Sequence, residues 1–207
     1  MGGSGRSYGG KSAVERAAER RERLVAATID VLADHGAAQA TMTAVCAGAG
    51  LTERYFYESF ASIEDAMVAA LDTVADEIIQ LVLSTLGATS GTPDVRVNAM
   101  VAAFVDLVAA SPAKARVAVI ESAANSRLRA RRRQLLEMFA DLVAQEAANL
   151  YGEAAWPPAR ARLHGLVYAA GLAELVAAWL TGDVPMSDDD LIEVAGSLFT
   201  SFGRRAD

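Results

Sequence analysis

Residues 41–60 read TMTAVCAGAGLTERYFYESF, and the fold turns on this stretch. Thr41 suits a helix N-cap, because its hydroxyl can accept from a first-turn amide. Met42 to Ala49 then forms a short helix whose Val45 and Ala49, four apart, face inward. Cys46 falls where a neighbouring helix crosses closely and a small side chain is needed. Gly50 supplies a left-handed turn residue and Leu51 an apolar plug. Thr52 caps a second helix from Glu53 to Ser59, with Phe56 and Phe60 inward and Glu53, Arg54, Tyr55 and Tyr57 outward or flanking. Two short helices joined by a glycine turn, with a small residue four positions before the glycine, form the helix-turn-helix signature. For Tyr55 and Tyr57 a role as packed core aromatics stays open beside an outward one.

Working outward, residues 1–10 (MGGSGRSYGG) are Gly/Ser-rich, and residues 1–12 are expected to be a disordered tail. Lys11, Arg16, Arg20, Arg21 and Arg23 interleave with Glu15, Glu19 and Glu22, and Glu19–Arg23 sits at i,i+4, so part of this run is a solvated helical face. Leu24, Ala27, Val31 and Leu32 keep a helical period that ends at His35-Gly36, with Gly36 as a left-handed C-cap. Beyond the quoted stretch, Ser62-Ile-Glu-Asp65 opens a long helix with the stripe Met67, Ala70, Leu71, Val74, Ile78, Leu81 and Val82.

A loop at Gly87–Asp94 precedes a helix marked by Val97, Met100, Val101, Phe104, Leu107 and Val108. Pro112 starts another, which runs to about Ala124. Asn125-Ser126 opens the next, carrying Leu128, Leu135, Phe139, Leu142, Val143 and Leu150. Its Arg129, Arg131, Arg132 and Arg133 read as a solvated face, with a second nucleic-acid patch as the other reading. Pro157-Pro158 begins a helix to about Thr181 that is apolar nearly all round, hence expected to be buried on every side, against the body on one and a partner subunit on the other. Ser187 caps the last helix, whose stripe is Leu191, Val194, Ala195, Leu198 and Phe202. The class is all-α, about nine helices with no strand pattern and no internal repeat.

Composition agrees: 53% hydrophobic residues, 6% aromatics and 5 prolines favour helices around a sizeable core. Cys46 is the single cysteine, so no intrachain disulfide forms, and a cytoplasmic setting is expected. No phosphate-binding glycine loop, no GxSxG and no metal-spaced His or Cys is present, which argues against an enzyme, a metal site or a cofactor. The apolar stretch from Leu163 to Leu180 contains His164 and Glu174 and reads as a buried helix rather than a membrane span. The net charge of −7 lies wholly after residue 60, because residues 1–60 hold seven cations and seven anions. Salt screens the acidic body beyond about 8–10 Å, so it does not prevent the head from meeting an anion.

From Arg23 to about Leu71 the chain resembles the DNA-binding domain of the TetR family of regulators. The resemblance rests on the Leu24–Ala27–Val31 stripe, His35-Gly36, Thr41, Val45, Ala49-Gly50-Leu51-Thr52, Phe56-Tyr57 and Phe60. It implies a head over 13–61 whose second helix enters the major groove. Thr43, Glu53, Arg54 and Tyr55 would then reach bases or adjacent phosphates, with Arg54 able to pair with guanine and Glu53 with cytosine. Thr41, Thr52, Tyr57 and Ser59 would hold phosphates. Where the family commonly has a basic residue, this chain has Ile63, so phosphate affinity is expected from Ser62, the helix amides and Lys11, Arg16, Arg20 or Arg21.

The resemblance also implies an effector-binding and dimerisation domain over 62–207 and a homodimer on a double-stranded DNA operator with half-sites about 34 Å apart. Gly165, Ala169, Ala170 and Gly171 would permit close approach of the partner. Polar or aromatic residues set in apolar faces, Asn98, Phe104, Glu121, His164, Tyr168, Glu174 and Trp179, are candidates for the pocket, each with an ordinary core or interface role as the alternative. Few charges interrupt those faces, so the small-molecule effector is expected to be largely hydrophobic and to release a repressor from its operator. The competing reading is a dimeric helical scaffold whose helix-turn-helix is structural.

Overall fold

Helix α1 (Ala13–His35) begins where Ser12 and Glu15 satisfy each other. The Ser12 hydroxyl accepts from the Glu15 amide at 3.1 Å, and the Glu15 carboxylate accepts from the Ser12 amide at 2.6 Å. Those bonds hold the Glu15 carboxyl below the usual range. The computed structural model describes residues 12–205; the tail expected over 1–12 and the phosphate role expected of Lys11 therefore fall almost wholly outside the described residues. α1 ends at Gly36 with φ 76° and ψ 163°. The φ is positive as expected, but this is not the left-handed helical basin; it is a region that essentially only glycine enters.

Helices α2 (Met42–Ala49) and α3 (Glu53–Ser59) follow, then α4 (Ile63–Ala88) and α5 (Pro93–Ala110). α6 (Pro112–Arg116) runs through a π-helical turn (Val117–Glu121) into α7 (Ser122–Ala124). In that turn the Ser122 amide donates to Val117 O, five residues back, so one residue more than a normal turn is accommodated. α8 (Ser126–Tyr151) is capped by the Asn125 side chain and stopped at Gly152, φ 55°. α9 (Pro158–Thr181) and α10 (Asp188–Gly203) complete the chain. With the α6–α7 rod counted once, the described residues form nine helices, and the only strand-like feature among them is an isolated bridge between Ala155 and Arg204.

Two hydrophobic cores meet along α4. The first holds Leu24 and Leu32 of α1, Val45, Phe56, and Met67 to Ala75 of α4, and it continues to Val117, Leu128 and Leu135. The second holds Leu86, Val97, Val101, Tyr168, Val176, Leu191 and Phe199. Each fully buried Leu or Phe side chain contributes about 1.5–3 kcal/mol, so the head is held to the body by packing across residue 61, not by a linker. Around this seam Asp65, Asp72 and Glu77 of α4 pair with Arg127 (2.5 Å), Arg131 (2.6 Å) and Lys114 (2.6 Å). Half-exposed pairs contribute about 0–1 kcal/mol each, so they set orientation more than stability.

The inner faces of the last two helices differ from the expected stripes. On α10 the buried row is Leu191, Ala195 and Phe199, while Val194 and Leu198 are exposed. Glycines decide this. A Cβ on Gly196 would stand 2.6 Å from Asn98 Oδ1, and one on Gly203 would stand 2.8 Å from a Tyr151 ring carbon, so α10 turns its bare glycine side to α5 and α8. On α9, Gly165 lies against the backbone of Ala140 in the same chain and Ala169 lines an internal cavity, so both small residues serve packing within the chain. Within the chain α9 is covered by the body on one side, while Leu163 (63%) and Val167 (59%) are exposed on the other and Gly171 continues that row, the side expected to meet a partner. By length and composition α9 could cross a membrane, yet it lies along α8 with Arg162–Asp141 and Arg132–Glu174 pairs on its flanks.

Candidate functional site

The first two turns of the head are built by caps. The Thr41 hydroxyl accepts from the Ala44 amide at 3.2 Å, and Gly50 takes φ 60°, ψ 39°, which lets the Leu51 amide return to Cys46 O at 3.0 Å. α2 lies close on α1 at Gly48, where a Cβ would sit 3.3 Å from Ala27. Cys46 is buried beside it, and burial, with the Glu53 carboxylate, pushes its thiol up, so it behaves as a small apolar residue. Thr52 stands at the N-cap of α3 by backbone alone: its carbonyl accepts from the Tyr55 and Phe56 amides while its hydroxyl makes no capping bond. That leaves the hydroxyl available outward.

Phe56 and Phe60 anchor α3, their ring centroids 5.7 Å apart. Tyr57 meets Phe56 only edge-on and is 61% exposed, so it is not a core aromatic. Tyr55 is half-buried beneath the Arg20 guanidinium, 4.5 Å from its ring centre. Thr41, Thr43, Thr52, Glu53 and Arg54 are exposed. The Arg54 side chain is 84% exposed and touches only Glu58, at 3.1 Å. Ser59 is half-buried and its hydroxyl donates to Tyr55 O, so it has no proton left for a phosphate.

Three arginines that the sequence offers as cations fasten this unit from α1. Arg20 reaches Glu58 at 3.7 Å as well as the Tyr55 ring. Arg21 donates to Ser59 O at 3.2 Å and lies over Phe60. Arg23 donates to Ala49 O at 2.5 Å and Gly50 O at 3.4 Å, clamping the turn. At the start of α4, Ile63 packs on the first core. The Ser62 hydroxyl accepts from the Asp65 amide and donates to the Asp65 carboxylate, so it is committed on both sides.

A cavity of about 150 Å³ lies where the two cores meet. α4 contributes Leu71 and Ile78, α5 Met100 and Phe104, the π-turn Ala118 and Val119, α8 Leu135 and Phe139, α9 Tyr168 and Leu172, and α10 Phe199. Its lining is almost wholly apolar apart from Arg132, Glu146 and Tyr168. Tyr168 is 6% exposed, edge-on to Phe199 at 5.5 Å, and its hydroxyl has no hydrogen-bond partner. Burial pushes that hydroxyl far above the ordinary tyrosine range. Arg132 pairs with Glu174 through Nη2 at 2.7 Å, while its buried Nε is unpartnered. Among the described residues no group of His, Cys, Asp and Glu is arranged to hold a metal.

The sequence matches no family model and no curated protein. Solved structures share the architecture over nearly their whole length. A TetR-family regulator from Syntrophomonas wolfei superposes with a TM-score of 0.72 at 13% identity, over 90% of this chain and 95% of its own. The regulator FadR of Bacillus subtilis, solved with stearoyl-CoA, gives 0.68 at 19%, over 87% and 96%. The multidrug-binding protein EbrR, solved with imidazole, gives 0.60 at 21%, over 86% and 94%. The fold is that of the TetR family.

Within this TetR fold the pocket candidates separate. Phe104 and Tyr168 line the cavity, whereas Asn98, Glu121, His164, Glu174 and Trp179 do not. Asn98 lies against Gly196 between α5 and α10. His164 meets Phe202 O through Nδ1 at 3.0 Å and stacks edge-on against Trp156. Trp179 packs at the edge of the second core, and Glu174 reaches only the outer side of Arg132. Arg132 and Glu146 were missed because they sit among charges. A signal existed, since 132, 135, 136, 139, 143 and 146 keep one helical stripe.

Glu121 has another role. On the π-turn whose Ala118 and Val119 wall the cavity, its buried carboxylate accepts from the Ala37 amide at 2.9 Å, just after Gly36 of the head. Removing that acceptor strands a buried amide, which costs about 1–3 kcal/mol. Glu121→Ala is therefore expected to lower stability by that amount in urea unfolding, with Glu121→Gln restoring most of it. An alanine variant as stable as the parent would show that the bond contributes nothing.

Proposed function

We propose that this chain is a DNA-binding transcriptional regulator, a homodimeric cytoplasmic repressor released from a double-stranded DNA operator by a small, largely hydrophobic ligand. The observation that carries the reading is the outward face of α3. Thr52, Glu53, Arg54 and Tyr57 stand exposed on a helix that Phe56, Phe60 and three α1 arginines hold rigidly. Arg54 is the base reader, Glu53 and Tyr55 flank it, and Thr41, Thr43, Thr52 and Tyr57 place phosphates. Residues 13–61 form the reading head and 62–207 the sensing and pairing body. The second copy covers the Leu163–Val167–Gly171 row of α9, together with Val194 and Leu198 of α10, all apolar or bare and exposed in one chain. FadR and EbrR carry regulator or drug-binding names and bound small molecules, which supports an effector in the cavity.

A specific observation favours the competing scaffold: Arg20, Arg21 and Arg23 are engaged within the head, and Ile63 stands where a cation would clamp phosphate. Salt titration separates the two readings, because a DNA binder loses affinity with a slope of about 0.9 per phosphate neutralised and a scaffold shows none. On the DNA flanking its own gene, Arg54→Ala is expected to weaken binding about 10- to 100-fold, the loss of one bidentate base contact. An Arg54→Ala protein that binds like the parent would overturn the assignment of α3 as the reading helix.

A further inference from the structure

The cavity holds two buried groups that want the same thing. The Tyr168 hydroxyl and the Arg132 Nε are both unpartnered, and the second is a donor only. Burial keeps the tyrosine protonated, so it too can donate throughout the physiological range. An unmet buried donor costs about 1–3 kcal/mol, and a bound acceptor would recover part of it. The charges on the wall point away from an ionic ligand. Arg132 already holds the Glu174 carboxylate at 2.7 Å on its outer side, and Glu146 adds a second carboxylate to the lining, so an entering anion would meet two carboxylates around the one guanidinium. An entering cation would face the Arg132 guanidinium and leave both donors unmet. Apolar walls around about 150 Å³ match the room that holds one benzene-sized molecule.

Resting on the reading of this cavity as the effector site, we infer that it takes an uncharged apolar molecule about the size of a short-chain-substituted benzene ring, carrying an oxygen acceptor for the Tyr168 hydroxyl. The class is an aryl or alkyl ketone, ester or ether, not a carboxylate, phosphate or amine. Recognition divides in two: the walls reward apolar volume, and the single hydroxyl selects the acceptor.

The test is calorimetric titration of the full-length protein, without DNA, with acetophenone, ethylbenzene, benzoate and benzylamine. Acetophenone should bind best, and Tyr168→Phe should weaken it roughly three- to tenfold while leaving ethylbenzene unchanged. The unchanged hydrocarbon shows that the variant is folded and its cavity intact. Tighter binding of benzoate or benzylamine, an equal effect of Tyr168→Phe on both neutral probes, no effect on acetophenone, or no binding of any probe would each overturn the inference. Operator release is measured separately. Acetophenone that binds as described yet leaves DNA bound would count against the regulatory reading alone, and DNA binding with no preference for the carbonyl probe would count against this inference alone.

Discussion

Phe56→Ala is expected to cost about 3–5 kcal/mol and to abolish DNA binding. Phe56 is fully buried at the centre of the first core, with Phe60 and Tyr57 as ring neighbours. Truncation leaves a hole in the first core beneath α3, beside α1 and α2, that a seven-residue helix pinned at both ends has little freedom to close. The loss is a large share of the roughly 5–15 kcal/mol that holds a domain. Because this core also contains Leu128 and Leu135 of α8, the loss should appear as a lower midpoint of one transition rather than as a separate early unfolding of the head. Guanidinium unfolding followed by far-ultraviolet dichroism and by tryptophan emission checks this, since Trp156 and Trp179 both report from the body. Phe56→Leu, which keeps most of the volume, should cost less than half as much. An alanine variant within 1 kcal/mol of the parent, on the scale of a surface change, would show that α3 is not anchored this way.

Gly165→Val is expected to be comparably severe, for the opposite reason. A Cβ there would meet the Ala140 carbonyl oxygen and would lie 3.1 Å from the Ala140 carbonyl carbon and Cα. Backbone cannot rotate out of the way as a side chain can, so α8 and α9 must part. Over-packing costs about 1–3 kcal/mol even where side chains yield, and here the upper end is expected. Parting those helices also widens the cavity between Val143 on one and Tyr168 on the other. Thermal unfolding with and without acetophenone measures both effects: a lower midpoint, and loss of ligand-dependent stabilisation. A valine variant that melts like the parent would mean the two helices are not in close contact.

The contrast between these positions tells what a sequence can convey. Helix ends were legible because capping is local: Thr41, Ser62, Asn125 and Ser187 each bond an amide within three residues. The inward pair Phe56 and Phe60 was legible because α3 is polar elsewhere. α9 and α10 were not, since apolar residues on several sides carry no periodic message, and the inner face is chosen by glycines meeting Ala140, Asn98 and Tyr151 far away in the chain. The cations of α1 were visible but their engagement was not: Arg23 bonds a carbonyl 26 residues on. The cavity draws on six elements, and of its two polar donors Tyr168 stands out in an apolar face while Arg132 looks ordinary among charges. The π-turn has no local mark, because the β-branched Val117, Val119 and Ile120 only slightly lower helix propensity and do not say where an extra residue enters.

That turn has a genetic consequence. Its five residues cover about the rotation that four cover in an ordinary helix, so the extra residue is taken up locally, with Ala118 and Val119 on the cavity wall and Glu121 on the Ala37 amide. Loss of one codon within 117–120 would let the rod relax into ordinary α-helix with α7 still in phase, whereas a change that relaxed the turn without losing a residue would swing Glu121 off the head. A chain relaxed in that second way would lose the one bond by which the cavity-wall segment holds the Ala37 amide of the head. Single-codon deletions in this segment are therefore expected to be tolerated better than deletions elsewhere in the helices, where losing one residue turns the buried face outward.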